Sequence, residues 1–288
     1  MTMELARART VPKPWGVADV RPWSRAASEG PLIGEISYER SNLTGLHSSL
    51  LLKVLLTSQP LSIQVHPDDD AARAMGLPNG KTEAWYILCA GPGAVVALGL
   101  KQSMTPLQLR ASILDGSIAD CVAWRAVAPG DIIVVPAGTV HAIGAGLVIA
   151  EIQQRSETTF RLFDYGRNRE LHIESALAAA NTGPTELQSW PDELTNERSV
   201  LVENRYFVFE RIKLPPNSSW SLHAKQETWL LAIAGGASAG AFSVVAGEAV
   251  FVEADRVNLG VGANGLVALV AYVGAGGPVV ELLQRMNN

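Results

Sequence analysis

The feature that most constrains the fold is an echo between two parts of the chain. Glu83-Ala-Trp85-Tyr-Ile-Leu-Cys-Ala-Gly returns as Glu227-Thr-Trp229-Leu-Leu-Ala-Ile-Ala-Gly, an offset of 144 residues (83 to 227). Pro129-Gly-Asp131-Ile-Ile-Val-Val returns as Ala246-Gly-Glu248-Ala-Val-Phe-Val, an offset of 117 (131 to 248). Repetition on this scale predicts a duplicated domain, and the smaller second offset predicts about 27 extra residues within the first copy.

The repeated unit has the pattern of an all-β domain. Short runs rich in β-branched and aromatic residues alternate with glycine and proline clusters, as in antiparallel barrels and sandwiches. Residues 1–31 contain four prolines and no clear periodicity, so an irregular segment is predicted there. The strands predicted in the first copy are Leu32–Tyr38, Ser49–Leu56, Ser62–His66, Ala84–Cys89, Ala94–Leu98, Asp131–Val135 and Leu147–Gln153.

Helices are predicted to interrupt these strands. Asp68 can cap a short helix Asp69–Met75, and Thr105-Pro-Leu-Gln108 is a capping box with proline at the first helical position. In the helix begun by Thr105, the buried stripe is expected to contain Leu107, Ala111 and Leu114. Further helices are predicted at Ile118–Val122 and Ile173–Ala180. The pieces within residues 101–124, approximately, would form the helical insertion of the first copy.

The domain boundary is predicted in residues 181–200, which are polar and rich in turn formers. The chain then divides into an N-terminal catalytic domain, residues 1–185, and a C-terminal domain, residues 186–288. We call these the N-terminal half and the C-terminal half.

Composition narrows the range of functions. The net charge of −5 argues against nucleic acid or an anionic membrane surface as a partner, and no apolar run reaches the length of a membrane-spanning helix. The N-terminal residues lack a hydrophobic signal core, and Cys89 and Cys121 fit a reduced compartment. A cytoplasmic location is therefore expected.

The clearest candidate site lies on the predicted strand Ser62–His66. Because alternate side chains of a strand share a face, Ser62, Gln64 and His66 should line one side and leave Leu61, Ile63 and Val65 on the other. The segments 81–85 and 136–141 add Glu83 and His141. Two imidazoles, one carboxylate and one amide oxygen suit a borderline divalent metal ion.

The second copy provides an internal comparison. Carried forward by the second offset, His141 falls on Asn258, and no Gln-x-His strand precedes Glu227 at the spacing found before Glu83. His223 lies only four residues from Glu227, too close to take the part of His66. The second copy is therefore expected to be structural.

These motifs identify a family resemblance. The sequence resembles the type I mannose-6-phosphate isomerases of the cupin superfamily, and in length it resembles their short bacterial branch. The likeness covers most of residues 12–180, whereas the C-terminal third resembles only a degenerate cupin. The segments that carry it are Leu61-Ser-Ile-Gln-Val-His-Pro-Asp68, Lys81-Thr-Glu-Ala-Trp-Tyr-Ile-Leu88, residues 129–143, residues 151–167 and Arg169-Glu-Leu-His-Ile-Glu174.

The resemblance implies a bicupin with one active copy, which interconverts mannose 6-phosphate and fructose 6-phosphate through a cis-enediol. It implies one zinc ion per chain at Gln64, His66, Glu83 and His141. Arg161 and Lys81 match active-site cations of the family. Lys53, a charge inside an apolar run, and Ser62 match residues that bind the substrate phosphate.

Several alternatives stay open at this point. The general base could be a lysine near the metal or a metal-bound water, and other divalent ions would fit the same ligands. The protein could instead be a sugar-binding regulatory cupin without catalysis, or an isomerase of a different or unphosphorylated sugar. Nothing in the sequence fixes the oligomeric state.

Overall fold

The computed structural model of the chain describes residues 2–24, 30–41, 48–186, 192–274 and 276–286. Its strands are β1 (Thr2–Leu5), β2 (Arg7–Val17), β3 (Ile33–Glu39), β4 (Leu50–Thr57), β5 (Ile63–Val65), β6 (Glu83–Ala90), β7 (Val95–Leu100), β8 (Val122–Ala126), β9 (Ile132–Val135), β10 (His141–Ile143), β11 (Leu147–Gln154), β12 (Phe160–Phe163), β13 (Asp192–Thr195), β14 (Arg198–Glu203), β15 (Phe207–Leu214), β16 (Ser219–Ala224), β17 (Thr228–Ala239), β18 (Phe242–Val245), β19 (Ala249–Glu253), β20 (Asp255–Val273) and β21 (Leu283–Arg285). The helices are α1 (Asp69–Ala74), α2 (Pro106–Asp115), α3 (Ile118–Cys121) and α4 (Ile173–Ala179), with a 3-10 turn at Val280–Leu282. The prediction of a mainly β chain is confirmed.

Two sheets face each other in the N-terminal half. One has six strands in the order β2-β3-β4-β11-β6-β9, and the other has five in the order β12-β5-β10-β7-β8. Trp85 and Ile149 from the first sheet pack against Val96 and Ile143 from the second, and they form the interior of a sandwich. On the outer face of the five-stranded sheet, helices α2, α3 and α4 cover a second apolar layer.

The third sheet has ten strands, nine from the C-terminal half together with β1, and it curls around its own apolar core. Its other face packs against the outer face of the six-stranded sheet. In this layer between the halves, Ala84 and Tyr86 of β6 meet Trp229 and Phe251. The six-stranded sheet is thus buried on both faces, which explains why the eight residues of β4 are all buried.

This layering shows that the first sequence echo, from Glu83–Gly91 to Glu227–Gly235, is out of register with the structure, whereas Ile133 and Val250 of the second echo both face a domain interior. Trp85 lies in the interior of the N-terminal sandwich, whereas Trp229 lies in the layer between the halves. The C-terminal core instead receives Leu230 from β17. Because a shift of one residue along a strand reverses its faces, Glu227 and Trp229 do not occupy the positions of Glu83 and Trp85.

The predicted counterpart of His141, Asn258, needs a similar correction. It lies on β20 opposite Ser221 of β16, the strand that precedes Glu227 and contains no Gln-x-His motif. Asn258 is exposed, so it does not occupy an inward position like that of His141. The inward residues of β16 and of this part of β20 are apolar, and they include Trp220, Leu222 and Leu259.

The prediction of an irregular stretch was wrong for residues 2–5 and 7–17, which form strands, whereas residues 18–24 and 30–31 are bends and turns as expected. Residues 7–17 form β2 at an edge of the six-stranded sheet, where Pro12 and Pro14 are tolerated and the register shifts. Residues 2–5 form β1, which pairs with β19 at an edge of the C-terminal sheet. The two halves therefore share the chain's first strands. The 185/186 boundary itself stays a prediction, and part of its predicted linker, residues 187–191, lies outside the described residues.

The helix predictions largely hold. Asp68 caps α1 by accepting from Ala71 N, and the capping box of Thr105 and Gln108 begins α2. The predicted stripe of α2 was wrong, because Leu107 and Leu114 are 77% and 64% exposed. The helix packs instead through Leu109 and Ile113, an i,i+4 pair on roughly the opposite side of the helix from the expected stripe. In the described parts of the chain, no helix has the length and apolar character needed to cross a membrane.

Candidate metal centre and adjoining pocket

Three side chains of metal-ligating type converge between the two N-terminal sheets. His66 follows β5, Glu83 begins β6 and His141 begins β10, and their ligand atoms all lie within 4.8 Å of one another. Pairing of His141 with Gln64 across β10 and β5 brings the first and last of these elements together. Among the described residues this is the only such group.

The hydrogen bonds of the two imidazoles define which nitrogen faces the site. His66 Nδ1 lies 2.8 Å from Thr158 O, and His141 Nδ1 lies 2.8 Å from Thr139 O. A carbonyl oxygen only accepts, so each Nδ1 carries the proton and each Nε2 keeps its lone pair. Both lone pairs are therefore available to a metal ion.

The carboxylate between them has no ordinary partner for its oxygens. Glu83 is 1% exposed, and its Oε2 and Oε1 lie 3.5 Å from His66 Nε2 and 3.4 Å from His141 Nε2. Lys81 Nζ forms an ion pair with it at 2.7 Å, yet in the described part of the chain neither oxygen has a well-aligned hydrogen-bond donor. Buried acceptors of this kind are rarely left without a partner, and the donor set fits a divalent cation.

The protonation states of the two histidines and of Glu83 also favour metal binding. Burial, followed by the charge of Lys81, lowers the pKa of His66 to about 3, and burial lowers the pKa of His141. Burial alone would raise the pKa of Glu83, but Lys81 and then His66 outweigh it and hold that pKa well below its usual range. Two neutral imidazoles and one ionised carboxylate are the forms that bind metal ions.

The fourth predicted ligand, Gln64, lies beside the group with its amide turned away. Its Nε2 lies 3.3 Å from His141 Nε2, and its Oε1 accepts from Ser62 Oγ at 3.1 Å. Ser62, Gln64 and His66 do share a face, while Ile63 and Val65 pack under the helices. Leu61 differs from expectation because it precedes the strand and lines the pocket.

A pocket of about 240 Å³ adjoins this group. Its wall includes Gln64 and Glu83 of the metal-ligating region. Polar residues predominate, with cations and carboxylates interleaved, which suits a polar, charged ligand. The other lining residues are Lys13, Trp15, Glu35, Lys53, Leu55, Leu61, Ser62, Lys81, Ile143, Glu151, Glu157, Thr159, Arg161 and Arg169.

All four cations and donors predicted to act on the substrate line this pocket: Lys53, Ser62, Lys81 and Arg161. Lys53 is 4% exposed, and its Nζ donates to Glu157 Oε2 at 2.9 Å. Glu157 was not predicted, because it lies in the loop between β11 and β12, where no periodicity points to a face. A carboxylate beside a cation predicted to bind phosphate implies that the pair must rearrange when an anion binds.

Arg161 is the pocket cation with the least compensation. Its Nη1 donates to Glu170 O at 2.7 Å, and its buried Nε has no partner among the described residues. Burial, followed by the charge of Arg169, lowers its pKa. Arg167 and Arg169 share one carboxylate, Asp164, so that group keeps a net positive charge, to which Arg161 adds its own.

Glu151 is a buried carboxyl group whose importance the sequence did not establish. It lies opposite both Lys53 and Trp85 in its sheet, and its Oε2 accepts from Trp85 Nε1 at 3.1 Å. Burial, followed by the charge of Glu83, raises its pKa to about 7. A group that titrates near neutral pH at the wall of a polar pocket is suited to proton transfer.

Lys81 shows the opposite behaviour from the one expected of a base. Burial would lower its pKa, but the charges of Glu83 and then Glu151 more than offset this and raise the pKa. Its Nζ also lies 3.2 Å from His66 Nε2. In the metal-free protein Lys81 is therefore a firmly held ammonium group.

Trp15 packs in the interior of the sandwich and also contributes to the pocket. It belongs to the interior cluster of the sandwich and is 5% exposed. The cations of Lys13 and Arg169 lie 5.5 and 4.9 Å from its ring centroid. Its face therefore helps to hold positive charge at the pocket wall.

Comparison with known structures identifies the fold first. The mannose 6-phosphate isomerase of Bacillus subtilis superposes with a TM-score of 0.82 at 21% identity, covering 95% of this chain and all of that chain. A putative mannosephosphate isomerase of Archaeoglobus fulgidus gives a TM-score of 0.74 at 16% identity, covering 95% of this chain and 98% of that one. The chain thus has the mannose-phosphate isomerase fold.

Sequence comparison then places the chain within a family. It is 32% identical over 235 residues to a probable mannose-6-phosphate isomerase, GmuF, of Bacillus subtilis, covering 75% of this chain and 73% of that protein. It is 35% identical over 192 residues to the mannose-6-phosphate isomerase of Streptococcus mutans, covering 62% of this chain but only 60% of that protein. No family model matches the chain. The chain belongs to the mannose-6-phosphate isomerase family.

Proposed function

We propose that this protein interconverts mannose 6-phosphate and fructose 6-phosphate with the help of one zinc ion. The observation that carries the proposal is the His66, Glu83 and His141 group at the wall of a cation-rich pocket. Family membership supplies the substrate class. Neutral imidazoles with an ionised carboxylate suit zinc, although manganese, iron and cobalt accept the same donors.

The metal ligands would be His66, Glu83 and His141, with Gln64 able to join them by turning its amide. When bound, a divalent ion would supply positive charge that stabilises the oxyanion of a cis-enediol. Lys81, held as an ammonium group beside Glu83, adds positive charge at the same end of the pocket. Charge stabilisation of this kind is typically worth a few kcal/mol for each well-placed group.

The substrate phosphate would be bound by the remaining cations. Arg161 has a donor to spare, and Lys53 can exchange its bond to Glu157 for one to phosphate. Ser62 Oγ, which donates to Gln64, is a further donor at the wall. Such charge-assisted hydrogen bonds would orient the sugar with its reacting carbons toward Glu83 and Glu151.

Glu151 is our candidate for the group that moves the proton between C2 and C1. Its carboxyl titrates near the pH of the cell, so it can both accept and return a proton. A general base of this kind removes the need for Lys81 to be deprotonated. It also gives a function to the buried carboxyl group opposite Trp85.

We interpret the two halves as cupin domains, with α2 and α3 as a helical insertion in the first. The C-terminal core, filled by residues such as Trp220 and Leu222, leaves no room for a second metal site of this type among the described residues. The predicted cytoplasmic location agrees with a hexose phosphate substrate and stays a prediction.

The proposal is tested with purified protein loaded with zinc or cobalt and given fructose 6-phosphate in heavy water. We expect mannose 6-phosphate to form and deuterium to enter the sugar. As matched controls, Glu83→Gln should be inactive, whereas Lys213→Met, which removes an exposed cation of the C-terminal half, should behave as wild type. Tight sugar binding with neither product nor deuterium would favour a regulatory protein instead. Turnover of mannose but not of its 6-phosphate would refute the phosphate assignment.

A further inference from the structure

Glu227 is a buried carboxylate of the C-terminal half whose partners lie in the N-terminal half. It is 5% exposed, and it lies in the turn before β17. Its Oε2 accepts from Ser49 N at 2.5 Å, and its Oε1 accepts from Leu50 N at 2.9 Å. Trp229 Nε1 donates to Oε1 as well, at 3.1 Å. The proposed mechanism does not use this group.

The two backbone amides that donate to Glu227 lie at the beginning of β4. Leu50 is the first residue of that strand, and Lys53 follows three residues later. A strand cannot slip or twist at one end without displacing the side chains that follow, because its residues alternate at a fixed rise. The carboxylate therefore anchors the start of the strand that carries a pocket cation, in addition to its ladders with β3 and β11.

The same segment is fixed from its other side by the strand that carries Glu151. Arg155 N donates to Ser49 O at 2.9 Å, and the Arg155 guanidinium donates to Ser48 O and Oγ. Glu157, the partner of Lys53, follows in the same loop. Residues 48–50 thus lie between a clamp from the C-terminal half and the segment that leads to Glu157.

We propose that Glu227 is a positioning residue, through which the C-terminal half sets the place of Lys53 in the substrate pocket. This inference rests on the proposed function, because it assigns a consequence to the position of Lys53. The metal ligands stand on or directly after β5, β6 and β10, and none of these strands pairs with β4. Glu227 should therefore affect binding of the sugar phosphate and leave metal binding unchanged.

The decisive variant is Glu227→Gln, which keeps the size of the side chain but replaces one acceptor oxygen by a donor that faces a backbone N–H. We expect KM for mannose 6-phosphate to rise about 10-fold, which is the effect of weakening one charge-assisted contact, while kcat changes less than about twofold. Metal content should equal that of wild type. Hydrogen exchange at the amides of Ser49 and Leu50 should become faster.

Tyr272→Phe provides a matched control for loss of stability alone. It removes a buried hydroxyl of the C-terminal half, which donates to Glu210 and does not touch residues 48–50. We expect a lower melting temperature with unchanged KM and unchanged exchange at Leu50. If Glu227→Gln behaves in the same way, its role is structural and the proposal is overturned.

A double-mutant cycle with Lys53→Met tests whether Glu227 acts through Lys53. If it does, Glu227→Gln should add little to KM once Lys53 has been replaced, whereas independent effects would multiply. Multiplied effects would overturn the proposal. If Glu227→Gln does not fold, Glu227→Asp, which keeps the charge but withdraws it by one methylene, should raise KM in the same direction, and an unchanged KM there would also overturn it.

These readouts separate this inference from the proposed function. A wild-type protein that turns over no hexose 6-phosphate would refute the proposed function. Calorimetric binding of the sugar phosphate and exchange at Leu50 would still report whether Glu227 positions β4. An active wild type with no effect of Glu227→Gln on KM or exchange would refute the positioning role alone.

Discussion

The two Glu-x-Trp segments share a sequence pattern but have different roles in the structure. Glu83 and Trp85 face the interior of the N-terminal sandwich, where the carboxylate meets two imidazoles. Glu227 and Trp229 are associated with the layer between the halves, where the carboxylate accepts backbone amides. In a strand the face on which a residue lies decides what it can do, and one step along the chain is enough to change it.

The comparison also extends to the residue opposite each tryptophan. Trp85 lies opposite Glu151 and donates to it, whereas Trp229 lies opposite Ala271 and donates to Glu227. The first arrangement leaves Glu83 free for a metal ion and keeps a second carboxyl at the pocket. The second uses its only carboxylate for packing, so the C-terminal segment has no group left for chemistry.

The largest effect is expected on metal affinity, when the glutamate of each segment is replaced in turn by glutamine. Glu83→Gln removes the charged ligand, so metal affinity should fall by more than about 100-fold, the upper end of the loss seen for groups that only support a ligand. Glu227→Gln should keep its metal. Metal analysis after dialysis against a weak chelator decides the matter, and equal loss in both variants would contradict the distinction.

A second prediction concerns Glu151, which lies opposite Trp85. The residue opposite Trp229 is Ala271, which has no carboxyl group. A carboxyl whose pKa is raised in the folded protein stabilises it while protonated, and this stability is lost as pH rises from the unfolded value through about 7. Glu151→Gln has no charge to bury at high pH. In chelator-treated protein, the free energy of unfolding of this variant should therefore rise by on the order of 3 kcal/mol relative to that of wild type between pH 4.5 and pH 8.

Urea unfolding of both proteins at the two pH values measures this difference. If the difference in free energy of unfolding between wild type and Glu151→Gln is the same at both pH values, the pKa of Glu151 is not raised by folding. The isomerase rate provides an independent check, since a proton-transfer role predicts that Glu151→Gln loses activity at every pH.

The third prediction tests the pocket cation on β4. Lys53→Met keeps the buried stem and removes the charge, and it should raise KM for mannose 6-phosphate by roughly 10- to 100-fold, the worth of a hydrogen bond to a charged group. Lys213→Met, on the exposed side of β15, is the control in the C-terminal half. Steady-state kinetics with an unchanged KM for Lys53→Met would exclude it from phosphate binding.

The smallest effect is expected at a contact between the halves that bears no pocket residue. Tyr206 OH donates to Asp69 Oδ2 at 2.9 Å, while Asp69 Oδ1 accepts from Gly80 N at 2.9 Å. Tyr206→Phe should cost about 1 kcal/mol of stability, as is usual for one hydrogen bond, with KM unchanged. A KM change as large as that expected for Glu227→Gln would mean that the halves are coupled to the pocket at more than one point.

Sequence reasoning succeeded where periodicity and chemistry pointed to the same face. The alternation of Ser62, Gln64 and His66 predicted their shared orientation, and Lys53 was identified because a charge within an apolar run requires a polar neighbour. The capping box at Thr105 predicted the start of α2 for a similar reason, since its side-chain bonds are local.

It failed where tertiary packing chose between two faces or where the chain followed no period. The buried stripe of α2 contains Leu109 and Ile113, because the sheet beneath it, and not the richest apolar side, sets its rotation. The repeat at Glu227 was recognised from residue types alone, and these do not show which face of the sheet each residue occupies. Prolines concealed the edge strand β2, and Glu157 lies in a loop that gives no periodic signal.

The pairing of β1 with β19 has a consequence for how the chain reaches its native state. Leu5 lies opposite Val250, an offset of 245 residues (5 to 250), so β1 stays unpaired until β19 has been synthesised. Contacts between residues so distant in sequence form slowly, because a long loop must close first. Closure of this edge is therefore expected late in folding, and until then an unpaired strand is exposed to pairing with other chains.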